Sequence, residues 1–414
     1  MKYLSVKETA EKWGISERRV RLLAGTDRIS GVIKQGKSYL IPENAEKPID
    51  KRFGAPKTRL YLKWGNSVIG LIDEGFNVIF TAPEFNEVVA RYTNGKTYWT
   101  RAEFEEFLSD RIISPKRRDI EHILFKLGFT HYSVMDVALT THAINSSDLL
   151  WIAFNENDKL KDAFTEVFRS VFVSKKDLEG ASVDSPEGYN IKRYGAYKGR
   201  YGIFKKRMNP LAKDIESEIA VYGIAKLIGV DCCPAYRVDE DTVFSEFLYD
   251  ISREYIVHFR HFFDGPRGED EYYNLLSVRP QYQKQIIQMI ILDFLTRQDD
   301  RHLSNVAVKI SGEKETFYPL YDNGRSLFYE DTPETAEKAA ADIKTFSTGF
   351  GPSGTYYDIL REISESGVDF KRLVKLGFTK TEVKTILKDA GFEDYRLKAA
   401  ADWIMGAAKI LKNM

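Results

Sequence analysis

Cysteine is almost missing from this sequence. Only two occur, and they are adjacent, Cys232 and Cys233, so neither a disulfide framework nor a cysteine-built zinc site can be assembled from them. Six histidines in 414 residues are too few for a histidine-built metal site. Long apolar runs are also lacking. The longest near the middle, Ile286 to Leu292, is interrupted by Gln288 and falls far short of the roughly 20 residues a bilayer requires. The start shows no apolar leader, because Met1-Lys2-Tyr3-Leu4 runs straight into polar, helix-forming sequence; a cytoplasmic protein without membrane partners is the expectation. Net charge is absent too, with 61 basic and 61 acidic residues. What remains, 43% hydrophobic and 29% charged residues, is ordinary for a globular chain, and the length predicts two or three domains.

The zero net charge hides an asymmetry. Residues 1–57 hold 13 Lys and Arg against 7 Asp and Glu, a net of +6, which leaves −6 on the remainder. A basic head on an acidic body points to a polyanion-binding module. Ser5-Val6-Lys7-Glu8 has the spacing of a capping box at the start of a helix that should end at Gly14. Ser16 supplies a second N-cap for a helix over 17–24, in which Val20, Leu23 and Ala24 share one face, Arg18 and Arg21 the opposite one, and Arg19 flanks it. Gly31 to Pro42 reads as a hairpin with Lys34 and Lys37 near its tip. Helix, turn, helix and basic wing in this order resemble the excisionase and MerR-like winged-helix DNA-binding domains. The resemblance covers about the first 50 residues and implies Ser16, Arg18, Arg19 and Arg21 at the groove, with Lys34 and Lys37 on phosphates. One such domain has a small footprint, so DNA binding through residues 1–55 calls for a second copy, as in a homodimer, or for an added partner.

Ile49 to Lys57 reads as a linker, and strands are expected over 60–64, 67–72 and 77–80, followed by helices at 103–108, 119–127 and 158–172. His131, His142 and Trp151 have no motif around them and are read as packing residues. The informative stretch begins at Gln283. Residues 286–295 are apolar on nearly every face, which predicts a helix buried inside a domain. A polar loop follows, Thr296-Arg297-Gln298-Asp299-Asp300-Arg301-His302-Leu303-Ser304-Asn305. Strands over 306–310 and 317–321 then form a hairpin that ends in Asp322-Asn323-Gly324.

Buried helix, Asp-x-x-x-x-Asn loop, hairpin and Asp-x-Gly are the ordered parts of a protein-kinase catalytic core. Asp300 can accept the proton of an attacking hydroxyl, Asn305 can hold a metal ion, and Asp322 can bridge the Mg²⁺ that neutralises a triphosphate. Gly324 is expected to permit a backbone conformation that a Cβ would resist. Phosphoryl transfer also needs an upstream lysine and glutamate: Lys205 ends a strand and Glu218 lies in a helical pattern, with Lys206 the competing lysine. Asp299 is the rival to Asp300, but it would place the asparagine at +6. His302 braces the loop more readily than it acts as a base. No G-x-G-x-x-G covers the phosphates, although Gly188, Gly195, Gly199 and Gly202 precede Lys205. Val243 to Leu248 reads as a hinge strand.

At these residues the chain resembles the HipA-like serine/threonine kinases, whose catalytic loop carries Asp-x-His-x-x-Asn where Asp300 to Asn305 stand, with a shortened metal turn where Asp322-Asn323-Gly324 stand. The resemblance covers about residues 58–400. It implies ATP and Mg²⁺ as cofactors, Asp300 as catalytic base, Asn305 and Asp322 as Mg²⁺ ligands, Lys205 as the phosphate lysine, and Glu246 with Phe247 near adenine. A regulatory serine ahead of the lysine is common in that family, which makes Ser182 and Ser185 autophosphorylation candidates. The family is best known as toxins paired with a separate DNA-binding antitoxin, whereas here the DNA-binding module stands in the same chain. The expected architecture is therefore α+β: a winged helix-turn-helix at 1–55, an N-terminal lobe of strands and helices at 58–250, and a helical C-terminal kinase lobe at 251–414. The alternative is a DNA-binding regulator whose kinase-like half senses nucleotide without turnover. The acceptor of the phosphoryl group is not readable from sequence, because it lies in surface shape.

Overall fold

The computed structural model describes residues 3–13, 16–25, 29, 31–36, 38–45, 60–81, 93, 95–113, 115, 120–145, 148–164, 192–262, 279–347 and 354–414. The chain is α+β and packs as two compact units, one formed by residues 1–144 and 150–171, the other by 145–149 and 172–414. The division expected at 250/251 thus falls inside the second unit. No helix among the described residues is long and apolar enough to cross a membrane.

In the first unit, β1 (Tyr3–Ser5) leads into α1 (Val6–Trp13), α2 (Glu17–Gly25), β2 (Ile33–Gln35) and β3 (Ser38–Pro42). The expected capping box is present: Glu8 N–H donates to Ser5 Oγ at 3.2 Å and Ser5 N–H to Glu8 Oε2 at 2.8 Å. Strand order is β1-β3-β2, and Val6, Ala10, Val20, Leu23, Ala24, Ile29 and Ile41 form a small core beneath it. Beyond residue 60, β4 (Leu60–Trp64), β5 (Ser67–Ile72), β6 (Val78–Phe80), β7 (Tyr98–Trp99) and, after α3 (Arg101–Ser109), α4 (Ile120–Lys126) and α5 (Val134–Thr140), β8 (Leu150–Ala153) build a five-stranded antiparallel sheet of order β7-β6-β5-β4-β8. Alternation puts Leu60, Leu62, Ile72, Val78, Leu150 and Ile152 into one core. Trp151 and His142 are buried, as packing residues should be, whereas His131 is exposed and so is not one.

The second unit opens with the hairpin β9 (Lys192–Tyr197) and β10 (Arg200–Lys206), joined through Lys198 and Gly199, both at positive φ. α6 (Asp214–Ile228), β11 (Ala235–Asp239) and β12 (Thr242–Glu246) complete a sheet of order β11-β12-β10-β9. Gly202 is required where β10 meets β12, since a Cβ there would lie 2.2 Å from the Ser245 carbonyl oxygen. β13 (Glu254–His258), α7 (Gln283–Thr296), β14 (Ala307–Ser311) and β15 (Lys314–Phe317) follow. The hairpin after the polar loop is thus shorter than expected. Tyr318 still donates its amide to the Ala307 carbonyl at 2.9 Å, after which the chain leaves the hairpin and Leu320 bridges Cys232 in parallel. β13, which sequence patterning did not suggest, adds an edge in the order β13-β14-β15.

From Ile286 on, α7 buries its apolar residues as its composition dictates; Ile286, Met289, Ile290, Ile291, Leu292, Phe294 and Leu295 are all 0% exposed. It is enclosed by α8 (Pro333–Ala341), α9 (Tyr356–Glu365), α10 (Phe370–Leu373), α11 (Lys380–Asp389) and α12 (Tyr395–Asn413). Trp403 on α12 donates its indole N–H to the Phe294 carbonyl at 2.9 Å. Between α7 and α9, α8 is followed by a 3₁₀ turn at Ile343–Thr345. Both cysteines are buried. Burial pushes their thiol pKa values up, that of Cys233 to about 12.

Candidate active site

Lys205 and Lys206 are neighbours on β10, so the pleat sends them to opposite faces, and Lys205 is the buried one, 4% exposed. Its Nζ is bonded to Glu218 Oε1 and lies 2.9 Å from Asp322 Oδ1. Burial works against the ammonium charge, but Asp322 and Glu218 outweigh it and hold Lys205 protonated well above the usual lysine range. Glu218 is aimed by the way α6 is anchored. Two residues earlier, Glu216 takes a fork from Arg207 at 2.7 and 3.0 Å, and Ser217 Oγ donates to the Ser326 carbonyl at 2.7 Å, tying the helix to the segment just past Asp322.

The loop after α7 begins with Arg297 in the left-handed region, φ 51°, and Asp322 adopts the same region, φ 58°. This corrects the expectation for Gly324, which is not at positive φ. A Cβ there would stand 3.4 Å from the Asp214 carbonyl oxygen and 3.6 Å from Glu218 Cγ, ordinary contact distances. The strained residue of the turn is the aspartate itself.

A buried arginine that motif reading overlooked joins the two acidic segments. Arg301, 2% exposed, places Nε and Nη2 on Asp293 of α7 at 3.0–3.3 Å, Nη1 on the carbonyls of Asn305 (3.3 Å) and Tyr321 (2.7 Å), and Nη2 on Asn323 Oδ1 (2.6 Å). Gln298 makes a second bridge, accepting from Asp300 N–H at 3.0 Å and donating to the Asp322 carbonyl at 3.2 Å. A signal for Arg301 was present in the sequence. Asp293 is the one acidic residue inside the apolar run 286–295, and a carboxylate buried there demands a cationic partner.

Asn305 donates its Nδ2–H to the Asp300 carbonyl at 3.0 Å, which leaves its carboxamide oxygen as the acceptor for a cation. His302 Nδ1 accepts from Ser304 N–H at 3.2 Å and caps the 3₁₀ turn Leu303–Asn305, a bracing position. The two aspartates differ. Burial pushes Asp299 up to about 6 although Arg325 opposes the shift, while Asp300 Oδ1 lies 3.5 Å from Arg325 Nη1. Asp322 and Asn305 are hard oxygen donors of the kind Mg²⁺ takes. Among the described residues no group of three or more His, Cys, Asp or Glu gathers as a metal cage. That donor set fits an ion held by one carboxylate, an amide oxygen and substrate phosphates.

At the hinge, Glu246 Oε2 accepts from Arg200 Nη1 at 2.7 Å and from Tyr236 OH at 3.1 Å. The amides of Glu246 and Phe247 donate to Pro234 O and Tyr201 O, both at 2.9 Å. The Glu246 side chain is thus engaged in the sheet rather than turned to a ring, and neither amide N–H remains for adenine. Ser182 and Ser185 lie outside the described residues.

In the N-terminal module Arg18 is exposed. Arg21 is exposed and paired with Glu17 at 2.8 Å, Ser16 Oγ caps α2 through Arg19 N–H at 3.3 Å, and Lys34 is exposed with Nζ 5.9 Å from the Tyr39 ring. Arg19 departs from the expectation. Its Nη1 donates to the Gly128 carbonyl at 3.2 Å, fastening α2 to the loop after α4. Lys37 lies outside the described residues.

No protein-family model matches the chain, and no curated protein matches it in sequence. Among solved structures it is similar to the proinflammatory kinase CtkA of Helicobacter pylori (14% identity, TM-score 0.47, covering 55% of this chain and 94% of that one). It is also similar to a chain of the HipA, HipB and operator DNA toxin–antitoxin complex of Shewanella oneidensis MR-1 (14% identity, TM-score 0.48, covering 86% and 97%). Likenesses this distant assign no chemistry to the present chain.

Proposed function

We propose that the chain is an ATP- and Mg²⁺-dependent serine/threonine protein kinase of HipA-like type, a cytoplasmic toxin or regulator that carries its own DNA-binding module. The observation that carries the reading is the buried ammonium of Lys205 between Glu218 and Asp322. A fully desolvated cation with two carboxylates, one on a helix and one on a strained turn, is costly as mere structure and is what a phosphate-binding lysine requires. In this reading Lys205 binds the nucleotide phosphates, Glu218 holds it in place, and Asp300 takes the proton of the acceptor hydroxyl on its carboxylate. Asn305 and Asp322 hold Mg²⁺, which when bound neutralises phosphate charge. Exposed Arg18 and Arg21 face the DNA groove and exposed Lys34 its phosphates.

The test is incubation with labelled ATP and Mg²⁺, wild type beside Asp322→Ala, with label sought on the chain itself and in a bacterial lysate. Label that depends on Asp322 supports the kinase and delivers the acceptor. Nucleotide binding without label in either sample turns the reading to the nucleotide-sensing regulator.

A further inference from the structure

Arg325 stands one residue beyond the Asp322-Asn323-Gly324 turn and faces back onto the loop that carries Asp300. Its Nε donates its single hydrogen to Tyr329 OH at 2.8 Å. The contact of the same nitrogen with Asp299 Oδ1 at 3.1 Å is therefore charge pairing alone, and that oxygen has no hydrogen-bond donor. Nη1 sits 3.5 Å from Asp300 Oδ1, too far for a good hydrogen bond. The guanidinium carbon lies 5.6 Å from the Tyr329 ring centroid, and the side chain is 35% exposed. The guanidinium is thus oriented from behind by a hydroxyl and a carboxylate, while its outer fork of N–H groups opens beside Asp300. Such a fork matches two oxygens of one phosphoryl group.

The other cationic side chains described around that position are engaged elsewhere: Arg297 pairs with Asp331 at 2.8 Å. Arg301 is buried on Asp293, Asn323 and two carbonyls, His302 Nδ1 is the cap of a turn, and Lys205 is held between Glu218 and Asp322. We infer that Arg325 is a catalytic residue that grips the phosphoryl group as it is transferred, an inference that rests on the kinase reading above. The acceptor oxygen bonds to the γ-phosphorus, the bond from that phosphorus to the β,γ-bridging oxygen breaks with its electron pair leaving on ADP, and the acceptor proton passes to Asp300. Protonation removes the anion facing Nη1, and the fork closes on the equatorial phosphoryl oxygens where charge accumulates.

The test uses the full chain as wild type, Arg325→Gln and Arg325→Lys, with thermal melts confirming folding. Binding of MgADP is compared with binding of MgADP plus aluminium fluoride, a mimic of the moving phosphoryl group, and kcat is measured where label transfer occurs. The expected result is a wild type that gains about tenfold or more in affinity with fluoride. Arg325→Gln should lose that gain while keeping its MgADP affinity within about twofold and dropping kcat by about 10²–10³ at a nearly unchanged KM, with Arg325→Lys recovering part of both. Arg325→Gln that keeps the fluoride gain, or that loses MgADP affinity together with several degrees of melting temperature, overturns the inference in favour of a brace for Asp299 and Tyr329. A wild type that binds MgADP but transfers no label fails the kinase reading, and the fluoride gain and its loss in Arg325→Gln still decide the arginine. Absence of MgADP binding by wild type overturns both.

Discussion

In the N-terminal module Arg18 and Lys34 stand exposed and exposed Arg21 pairs with Glu17 on its own helix, whereas the second unit buries Lys205 and Arg301 among several acceptors each. Exposed pairs contribute roughly 0–1 kcal/mol and remain available to a polyanion. Buried ones fix geometry, because removing one partner strands the other. Position, more than charge, separates a surface that attracts from a centre that orients.

The largest expected effect sharpens the centre. Asp300→Asn and Asp322→Ala should each lower phosphotransfer by at least about 10³-fold while the chain still melts cooperatively, read by label incorporation beside calorimetry. Next, Asp293→Asn should destabilise the second unit by about 3–5 kcal/mol in urea unfolding, because it leaves Arg301 buried without its anion. Arg21→Ala in the N-terminal module should change stability by less than about 0.5 kcal/mol, and equal costs for the two would break the contrast.

A smaller effect concerns Asp214, whose pKa burial raises from 3.8 to about 6 and whose Oδ1 has no hydrogen-bond partner. The folded chain binds this proton more tightly than the unfolded one, so stability should rise as pH falls from about 7 towards 4. Asp214→Asn should reduce that rise, leaving the share of Asp299, also raised to about 6 by burial, and add on the order of 1–2 kcal/mol at pH 7.5. Smallest are the surface cations. Arg18→Ala and Lys34→Ala should each reduce the salt slope of DNA binding by about 1, measured by anisotropy, while Arg19→Ala, fastened to Gly128, should leave the slope nearly unchanged.

How legible each part was follows from the same contrast. Capping at Ser5 and Ser16, the buried helix 283–296 and the partners Lys205, Glu218 and Asp322 follow local rules of spacing and period, so sequence alone reached them. Arg301, Gln298 and Arg325 act through carbonyls and carboxylates brought together only by the fold, with Arg301 reaching Asn323 and Gln298 reaching Asp322 across the hairpin, and no periodicity encodes that. β13 escaped because its pairing with β14 joins residues far apart in the chain. The Gly324 expectation failed because positive φ was assigned to the residue for which it costs least, whereas the turn places it on Asp322.

The two shielded thiols have a practical consequence. With both sulfurs enclosed and their ionisation suppressed, thiol-directed dyes should pass over the folded wild type. A single cysteine introduced at Arg18, or at Leu211, which is 80% exposed, would then take one fluorophore cleanly, so the native chain already serves as the unreactive background for following DNA or nucleotide binding by light.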